Sequence, residues 1–312
     1  MLEPVIERSH QTVAEKLSFH KPISGRGVFF TILVGCAWFL VLLLVGVFIT
    51  LVFKSLLSIK AFGFGFITNS TWNPVTGIFG GFPYIIGTVV TSVLALILSF
   101  PFGMSIAILL GEYFRSGFIS SILKNLLELL AGIPSVIYGF TALYFIVPLV
   151  RQFEQLQNIQ PAFGVSIIAA TIVLSIMIIP YSASVAREII QLVPSNLKEA
   201  AYAMGATRFE VVRKVIIPYA RSGIAAGFLL SFGRAVGETM AVTMVIGNSN
   251  TLAKSLFDPS NTMASVIANE FTEATTEIYL SSLVEIALML FVLTVIFDLI
   301  GRYIIKKMRT QK

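Results

Sequence analysis

A run of 26 apolar residues without a single charge, residues 28–53, constrains this chain more than any other feature. A transmembrane helix needs about 20 consecutive apolar residues to cross a hydrocarbon core of about 30 Å. Five further stretches are comparably long and apolar, at about 84–110, 126–150, 163–186, 222–247 and 278–305. We therefore predict an all-α membrane protein with six transmembrane helices. The first run is too long for a signal peptide and follows 27 residues, so we predict a retained span.

The composition narrows the possible chemistry. Charged residues are 12% of the chain, about half of the roughly 25% that is usual for soluble domains. Cys36 is the only cysteine, and both histidines, His10 and His20, lie in the polar N-terminal segment. We therefore expect no catalytic residue, no metal site and no cofactor. The sequence has no G-x-x-x-x-G-K-[ST] motif, the phosphate-binding loop of many ATPases. If this chain takes part in ATP-driven transport, another polypeptide must therefore hydrolyse the ATP.

The distribution of basic residues predicts the orientation of the chain. Segments 1–27, 112–125, 187–221 and 302–312 hold 17 Lys and Arg residues, whereas the segments on the opposite side hold 4. The positive-inside rule then places the N- and C-termini in the cytoplasm. We predict a cytoplasmic N-terminal segment (1–27), a transmembrane domain (28–305) and a cytoplasmic tail (306–312). Basic cytoplasmic flanks explain the net charge of +6, so nucleic-acid binding is not needed to account for it.

The most specific motif lies between the fourth and fifth spans, at KEAAYAMGATRFEVVRKVIIP, residues 198–218. We expect a short helix over Glu199, Ala200 and Ala201, capped by Ser195 or Asn196 and interrupted at Gly205. A second amphipathic turn should place Phe209, Val212 and Ile216 on one face, and Pro218 should break the helix before span five. Two short helices of this kind could dock in a groove of a partner protein. We call residues 188–220 the EAA loop.

This motif resembles the EAA loop of binding-protein-dependent ABC importer permeases, whose pattern is Glu-Ala-Ala, three residues, Gly, nine residues and Ile-x-Leu-Pro. The matching residues are Glu199, Ala200, Ala201, Gly205, Val215, Ile217 and Pro218. The resemblance implies the type I ABC importer permease fold. It also implies that the loop is the coupling helix seated on an ATPase subunit. The alternative is an ordinary connecting helix.

Span five contains two ionisable residues, Arg234 and Glu238, four positions apart. On a continuous helix they would share a face and could pair. Ionisable groups within a membrane normally face a protein interior or an aqueous cavity. Arg234 presents a planar guanidinium that suits tetrahedral oxyanions. Glu238 could accept a hydrogen bond from phosphate, because phosphate keeps a proton at neutral pH. Sulfate carries no proton at that pH and could not donate such a bond. The alternative is a structural salt bridge.

Span five also carries a row of small residues at four-residue spacing, namely Gly223, Gly227, Ser231 and Ala235. Small residues let helix backbones approach closely, so we predict close helix packing along this row.

Span five and the segment AGIPSVIYGF at residues 131–140 resemble the phosphate-specific (Pst) branch of these permeases, in particular its C-subunit type. The resemblance extends from about residue 84 to residue 302. It implies that Arg234 and Glu238 act in phosphate passage in the cytoplasmic (inner) membrane of a prokaryote. It also implies a homologous permease subunit (PstA-like), a dimer of ATPase subunits (PstB-like) and an extracytoplasmic phosphate-binding protein (PstS-like) as partners.

Other polar residues of the apolar spans are less specific. Ser135 and Tyr138, next to the Gly132–Pro134 break, could line the substrate path with hydroxyl donors or could bond locally at a packing kink. We expect Glu128 and Glu285 near the membrane interfaces, and a local pair between Asp298 and Arg302. Three acidic residues of the last external loop recur at helical spacing, namely Glu270, Glu273 and Glu277. We expect them to form a solvated face; the alternative is a contact surface for an external binding protein.

Three other functions remain open at this stage. The first is an ABC permease for another oxyanion, such as sulfate, molybdate or phosphonate. The second is an ion-coupled secondary anion carrier, with Arg234 and Glu238 as substrate and proton sites; it does not account for the EAA spacing. The third is a membrane sensor or scaffold.

Overall fold

The structure, a computed structural model, describes residues 24–310. Residues 1–23 of the predicted N-terminal segment and the last two residues of the predicted tail lie outside the described residues. The described chain folds into twelve α-helices and two π-helical turns. The α-helices are α1 Ser24–Phe62, α2 Gly65–Thr68, α3 Phe82–Ile108, α4 Phe118–Gly132, α5 Ser135–Leu156, α6 Ile167–Gln191, α7 Ser195–Ala203, α8 Arg208–Val211, α9 Ile217–Val236, α10 Met240–Thr243, α11 Met263–Glu270 and α12 Glu277–Thr310. The π-helical turns are Leu109–Tyr113, after α3, and Val212–Ile216, before α9.

Six helical segments of the described chain are long and apolar enough to cross a membrane, as predicted. Their bounds are Gly27–Phe62, Phe82–Tyr113, Ser135–Leu156, Ile167–Gln191, Arg208–Val236 and Glu277–Met308. They contain α1, α3, α5, α6, α9 and α12. The all-α membrane class and the number of spans are therefore confirmed.

Two of the predicted spans are interrupted, the first of them at the expected Gly132–Pro134 break. The span predicted over residues 126–150 divides at Ile133 and Pro134, because proline disfavours a helical residue before it and has no N–H to donate. Ile133 is accordingly extended, and α5 begins at Ser135. The span predicted over residues 222–247 ends at Val236, with Gly237 as its C-cap.

The described chain divides into two compact units between Thr50 and Leu51. In the first unit the described part is the first half of α1, whose side chains from residue 28 onward are exposed. The second unit has three buried clusters. One joins α5, α6 and α10, one joins α6 to the EAA loop and α9, and one is an aromatic cluster of Phe66, Trp72, Phe79, Tyr84 and Tyr279.

Helix α9 packs closely on α6 along the predicted row of small residues. A Cβ atom added at Gly223 would lie 2.6 Å from Ile189, and one added at Gly227 would lie 2.9 Å from Val185. Real Cβ atoms do not approach other atoms so closely, so a larger residue at either position would force the neighbouring side chain or helix to shift. The close packing predicted for this face of α9 is therefore confirmed.

We predict that Gly227→Val lowers the stability of the protein, since the β-branched side chain cannot fit against Val185. Overpacking of this kind costs about 1–3 kcal/mol. Gly233→Val is the matched control, because nothing lies within 4 Å of a Cβ at that position of the same helix. Thermal unfolding of the purified protein in detergent should show a lower midpoint for Gly227→Val than for Gly233→Val. Equal midpoints would contradict the close approach of α9 and α6.

Candidate functional site

Arg234 lies in the last turn of α9, where its positive charge is favourably placed at the negative end of the helix dipole. Its guanidinium carbon is 4.2 Å from the ring centroid of Tyr181 on α6, a cation–π contact. Its Nε atom is buried and has no hydrogen-bond partner among the described residues. The side chain is thus held by an aromatic face while part of its hydrogen-bonding capacity remains unused.

The Tyr181 ring is itself positioned by the interruption between α4 and α5. Because α4 ends at Gly132, the carbonyl groups of its last turn have no partner within the helix. The Tyr181 hydroxyl donates to the Ala131 carbonyl at 2.7 Å, and the Tyr138 hydroxyl donates to the Leu130 carbonyl at 2.7 Å. These two hydroxyls therefore satisfy the broken helix end, and they bring α4, α5 and α6 together beside Arg234.

The predicted helical pair of Arg234 and Glu238 is wrong in its geometry. No oxygen of Glu238 lies within 4.0 Å of the Arg234 guanidinium in the structure of residues 24–310. The reason is that α9 ends at Val236, so Glu238 no longer follows one helical turn above Arg234. The Glu238 Oε1 atom instead accepts a hydrogen bond from the backbone N–H of Ala241 at 3.3 Å. Both side chains are half-buried.

The predicted hydroxyl donors fall at the start of α5. The hydroxyl proton of Tyr138 is already used by the Leu130 carbonyl. Tyr138 can therefore offer an approaching anion no proton unless that bond breaks. Ser135 is half-buried at the first position of α5. Tyr181 was missed by the sequence analysis, because an uncharged aromatic residue in an apolar span gives no signal of its own.

The EAA loop forms two short helices, α7 and α8, joined at Gly205, as predicted. Gly205 has a φ of +83°, a left-handed conformation that favours glycine. In α7 the side chains of Glu199 and Ala200 are exposed, whereas Lys198 and Ala201 are buried. Several large apolar side chains of the loop are also exposed, namely Leu197, Tyr202, Met204 and Phe209. The loop therefore presents one apolar outer face and one inner face packed on the protein.

Three details of the loop differ from the prediction. The N-cap of α7 is Pro194, not Ser195 or Asn196. Phe209 is exposed rather than on the buried face of Val212 and Ile216. Pro218 does not break the helix: it lies in the first turn of α9, and the wide π-helical turn before it lets the chain pass the proline ring without leaving the helical path.

The remaining acidic residues have different surroundings. Glu128 is exposed on α4, and Arg302 donates to Asp298 at 2.7 Å as predicted. Glu285 is 4% exposed, with a buried Oε2 atom that has no partner among residues 24–310. Glu270 does not belong to a solvated face with Glu273 and Glu277. Its carboxylate accepts hydrogen bonds from Trp72, Tyr279 and Asn250 at 2.6, 2.7 and 2.8 Å, and so ties the end of α11 to two loops and to the first turn of α12.

Comparison with known proteins places the chain among transporter subunits. The family model of the binding-protein-dependent transport system inner membrane component matches residues 99–310. The phosphate transport system permease protein PstC of Mesorhizobium japonicum is 42% identical over 279 residues, which cover 85% of each chain. The protein of the same name from Pasteurella multocida is 42% identical over 290 residues, covering 88% of this chain and 89% of the relative.

The fold is also found in a solved transporter. The inward-facing MetNI methionine ABC transporter contains a chain that superposes with a TM-score of 0.56 at 17% sequence identity, covering 76% of this chain and 99% of that chain. At this identity the likeness concerns the fold alone, which is that of a type I ABC importer permease. The chain belongs to the family of binding-protein-dependent transport system inner membrane components, and within it to the PstC-type permeases.

Proposed function

We propose that this chain is the transmembrane permease subunit of an ATP-binding-cassette importer that moves inorganic phosphate into the cytoplasm. The membrane would be the cytoplasmic (inner) membrane of a prokaryote. The relatives with 42% identity are named for phosphate transport. The observation that carries the proposal is Arg234, which lies at the end of a membrane span with no carboxylate partner among residues 24–310.

Arg234 has the properties of a transient anion site. A guanidinium keeps its charge in any protein environment and binds tetrahedral oxyanions through two parallel N–H groups. Tyr181 holds the guanidinium by its face, which leaves the N–H groups at the edge for a ligand. A cation that no carboxylate neutralises attracts an anion, and a site built on one arginine binds weakly enough to release it, as conduction requires.

Glu238 would supply selectivity among oxyanions. It lies two residues beyond the end of α9, and one carboxylate oxygen accepts from Ala241, so another oxygen is available to accept a proton-bearing ligand. Phosphate at neutral pH carries such a proton. Sulfate does not, and it would meet the carboxylate as like charge without a hydrogen bond. This local arrangement supports phosphate over sulfate.

The outer face of the EAA loop would receive the ATPase. Glu199 and Ala200 are exposed beside the apolar side chains of Leu197 and Met204, and an exposed apolar helix face of this kind suits docking in a groove of a partner. The ATPase would be a separate chain, present as a PstB-like dimer. A PstA-like permease subunit and a PstS-like extracytoplasmic binding protein would complete the importer, with both termini of this chain in the cytoplasm.

Radiolabelled phosphate uptake tests the proposal in proteoliposomes that contain the complete complex with ATP in the lumen. We expect uptake that requires ATP and that a large excess of sulfate does not reduce. Uptake without ATP would identify a secondary carrier. ATP-dependent uptake that sulfate abolishes would keep the importer but replace phosphate by another oxyanion as its substrate.

We predict that Arg234→Gln reduces phosphate uptake at least tenfold without loss of the assembled complex. The expected size follows from the loss of charge-assisted hydrogen bonds, each worth about 1.5–3 kcal/mol, or roughly 10–100-fold. Arg234→Lys, which keeps the charge but loses the planar fork, should fall between Gln and the wild type. Arg302→Gln serves as a control, since that arginine is exposed and pairs locally. Wild-type uptake by Arg234→Gln would reduce Arg234 to a structural role.

We predict that Glu199→Arg uncouples or detaches the ATPase while membrane insertion remains normal, because the exposed glutamate lies on the proposed docking face. The measurements are co-purification of the ATPase and ATP-driven uptake. The matched control is Glu277→Arg, the same substitution at an exposed glutamate at the start of α12, outside the EAA loop. Normal co-purification together with normal uptake in Glu199→Arg would count against the coupling role of the loop.

A further inference from the structure

A buried ion pair joins the inner face of the EAA loop to the end of the second membrane span. The Lys198 Nζ atom is 2.6 Å from the Glu112 Oε2 atom, and the two side chains are 6% and 7% exposed. Lys198 directly precedes Glu199 of the motif in α7. Glu112 lies in the π-helical turn Leu109–Tyr113, which continues from α3. The pair therefore bridges two elements that are 86 residues apart in the sequence.

A second link reaches the same turn from the other short helix of the loop. The Arg208 side chain donates to the carbonyl of Glu112 at 2.7 Å, and its guanidinium carbon lies 4.4 Å from the ring centroid of Tyr113. Arg208 is the first residue of α8. Both halves of the EAA loop, α7 and α8, thus hold one turn at the end of α3 through charged groups.

We infer that the Glu112–Lys198 pair is the joint through which displacement of the EAA loop is passed to α3, and so to the membrane domain. This inference rests on the proposed coupling of the loop to an ATPase. A buried ion pair suits such a role better than apolar contact, because it allows one geometry and resists separation: pulling the two charges apart would leave each of them buried and unpaired. In this arrangement Glu199 faces the ATPase, and Lys198 faces Glu112 at the end of the second membrane span.

The structure around the pair supports transmission beyond α3. Gly111, next to Glu112, is so close to Ile190 of α6 that an added Cβ would lie 2.7 Å away. The Gln191 side chain of α6 donates to the Leu110 carbonyl of the same turn at 3.2 Å. The turn that Lys198 holds is therefore also in tight contact with α6, the helix that carries Tyr181 beneath Arg234.

The test reverses each charge and then both, in the complete complex reconstituted with ATPase and binding protein. The variants are Glu112→Lys, Lys198→Glu and the double variant, and Arg302→Glu is the control. That control also reverses the cation of an ion pair, but Arg302 lies outside the EAA loop, its side chain is 73% exposed and its partner Asp298 is also at the surface. The readouts are co-purification of the ATPase, phosphate uptake, and the ratio of phosphate moved to ATP hydrolysed.

We expect each single reversal to keep the ATPase bound and active and to lower the ratio of uptake to hydrolysis at least tenfold. The double reversal should recover at least a third of the wild-type ratio, and Arg302→Glu should stay within twofold. An unchanged ratio in the single variants overturns the inference, and so does a parallel fall of uptake and hydrolysis, which would mark the pair as a purely structural contact.

If the complex does not assemble with a charge-reversed residue, the neutral variants Glu112→Gln and Lys198→Met replace the reversals. The same ratio of phosphate uptake to ATP hydrolysis is then measured, with the same expected fall. A wild-type complex that takes up no phosphate overturns the proposed function and this inference together. Wild-type uptake with an unchanged ratio in the variants overturns the inference alone.

Discussion

The end of a helix in an apolar environment leaves carbonyl groups that must find hydrogen-bond donors within the protein, and the candidate site depends on how this chain meets that requirement. At the end of α4 the donors are the hydroxyls of Tyr138 and Tyr181. Because the Tyr181 hydroxyl is tied to Ala131, its ring has a fixed place on α6, and that ring supports the guanidinium of Arg234. The interruption at Pro134 thus positions an arginine on a different helix, about a hundred residues away in the chain.

A second interruption determines the charge of the site. Had α9 continued through Gly237, Glu238 would follow Arg234 by one helical turn and could neutralise it. The helix ends at Val236 instead, and Glu238 turns to the backbone of Ala241. Among residues 24–310, Arg234 therefore has no carboxylate to neutralise it, and this is the geometry on which its proposed role as an anion site depends.

The sequence predicts those features that depend on local composition. The six spans follow from apolar runs, the division of the EAA loop follows from Gly205, and the packing of α9 on α6 follows from the small residues at Gly223 and Gly227. The Arg234–Glu238 pair was mispredicted because four-residue spacing implies proximity only where the helix continues. Pro134 marked a break in span three, but only the backbone shows that a separate helix, α5, begins at Ser135.

Contacts between distant elements could not be predicted from one sequence. Nothing in the motif around Lys198 indicates Glu112 as its partner, since both residues could equally lie on a solvated surface. Tyr181 carries no charge and belongs to no motif. Glu270 was grouped with Glu273 and Glu277 by helical spacing, but α11 ends at Glu270 and its carboxylate turns toward Trp72 and Tyr279. In each case tertiary packing, not local pattern, decides the role of a polar side chain.

Lys198 and Arg234 have opposite surroundings. The difference fits a structural link for Lys198 and the proposed anion site for Arg234. Lys198 is buried against the carboxylate of Glu112, so its charge is compensated. Arg234 has only an aromatic face and the end of a helix to stabilise it, and it cannot lose its charge by deprotonation. In the proposed importer, an arginine with unused hydrogen-bonding capacity would attract an anion and still bind it weakly enough for release.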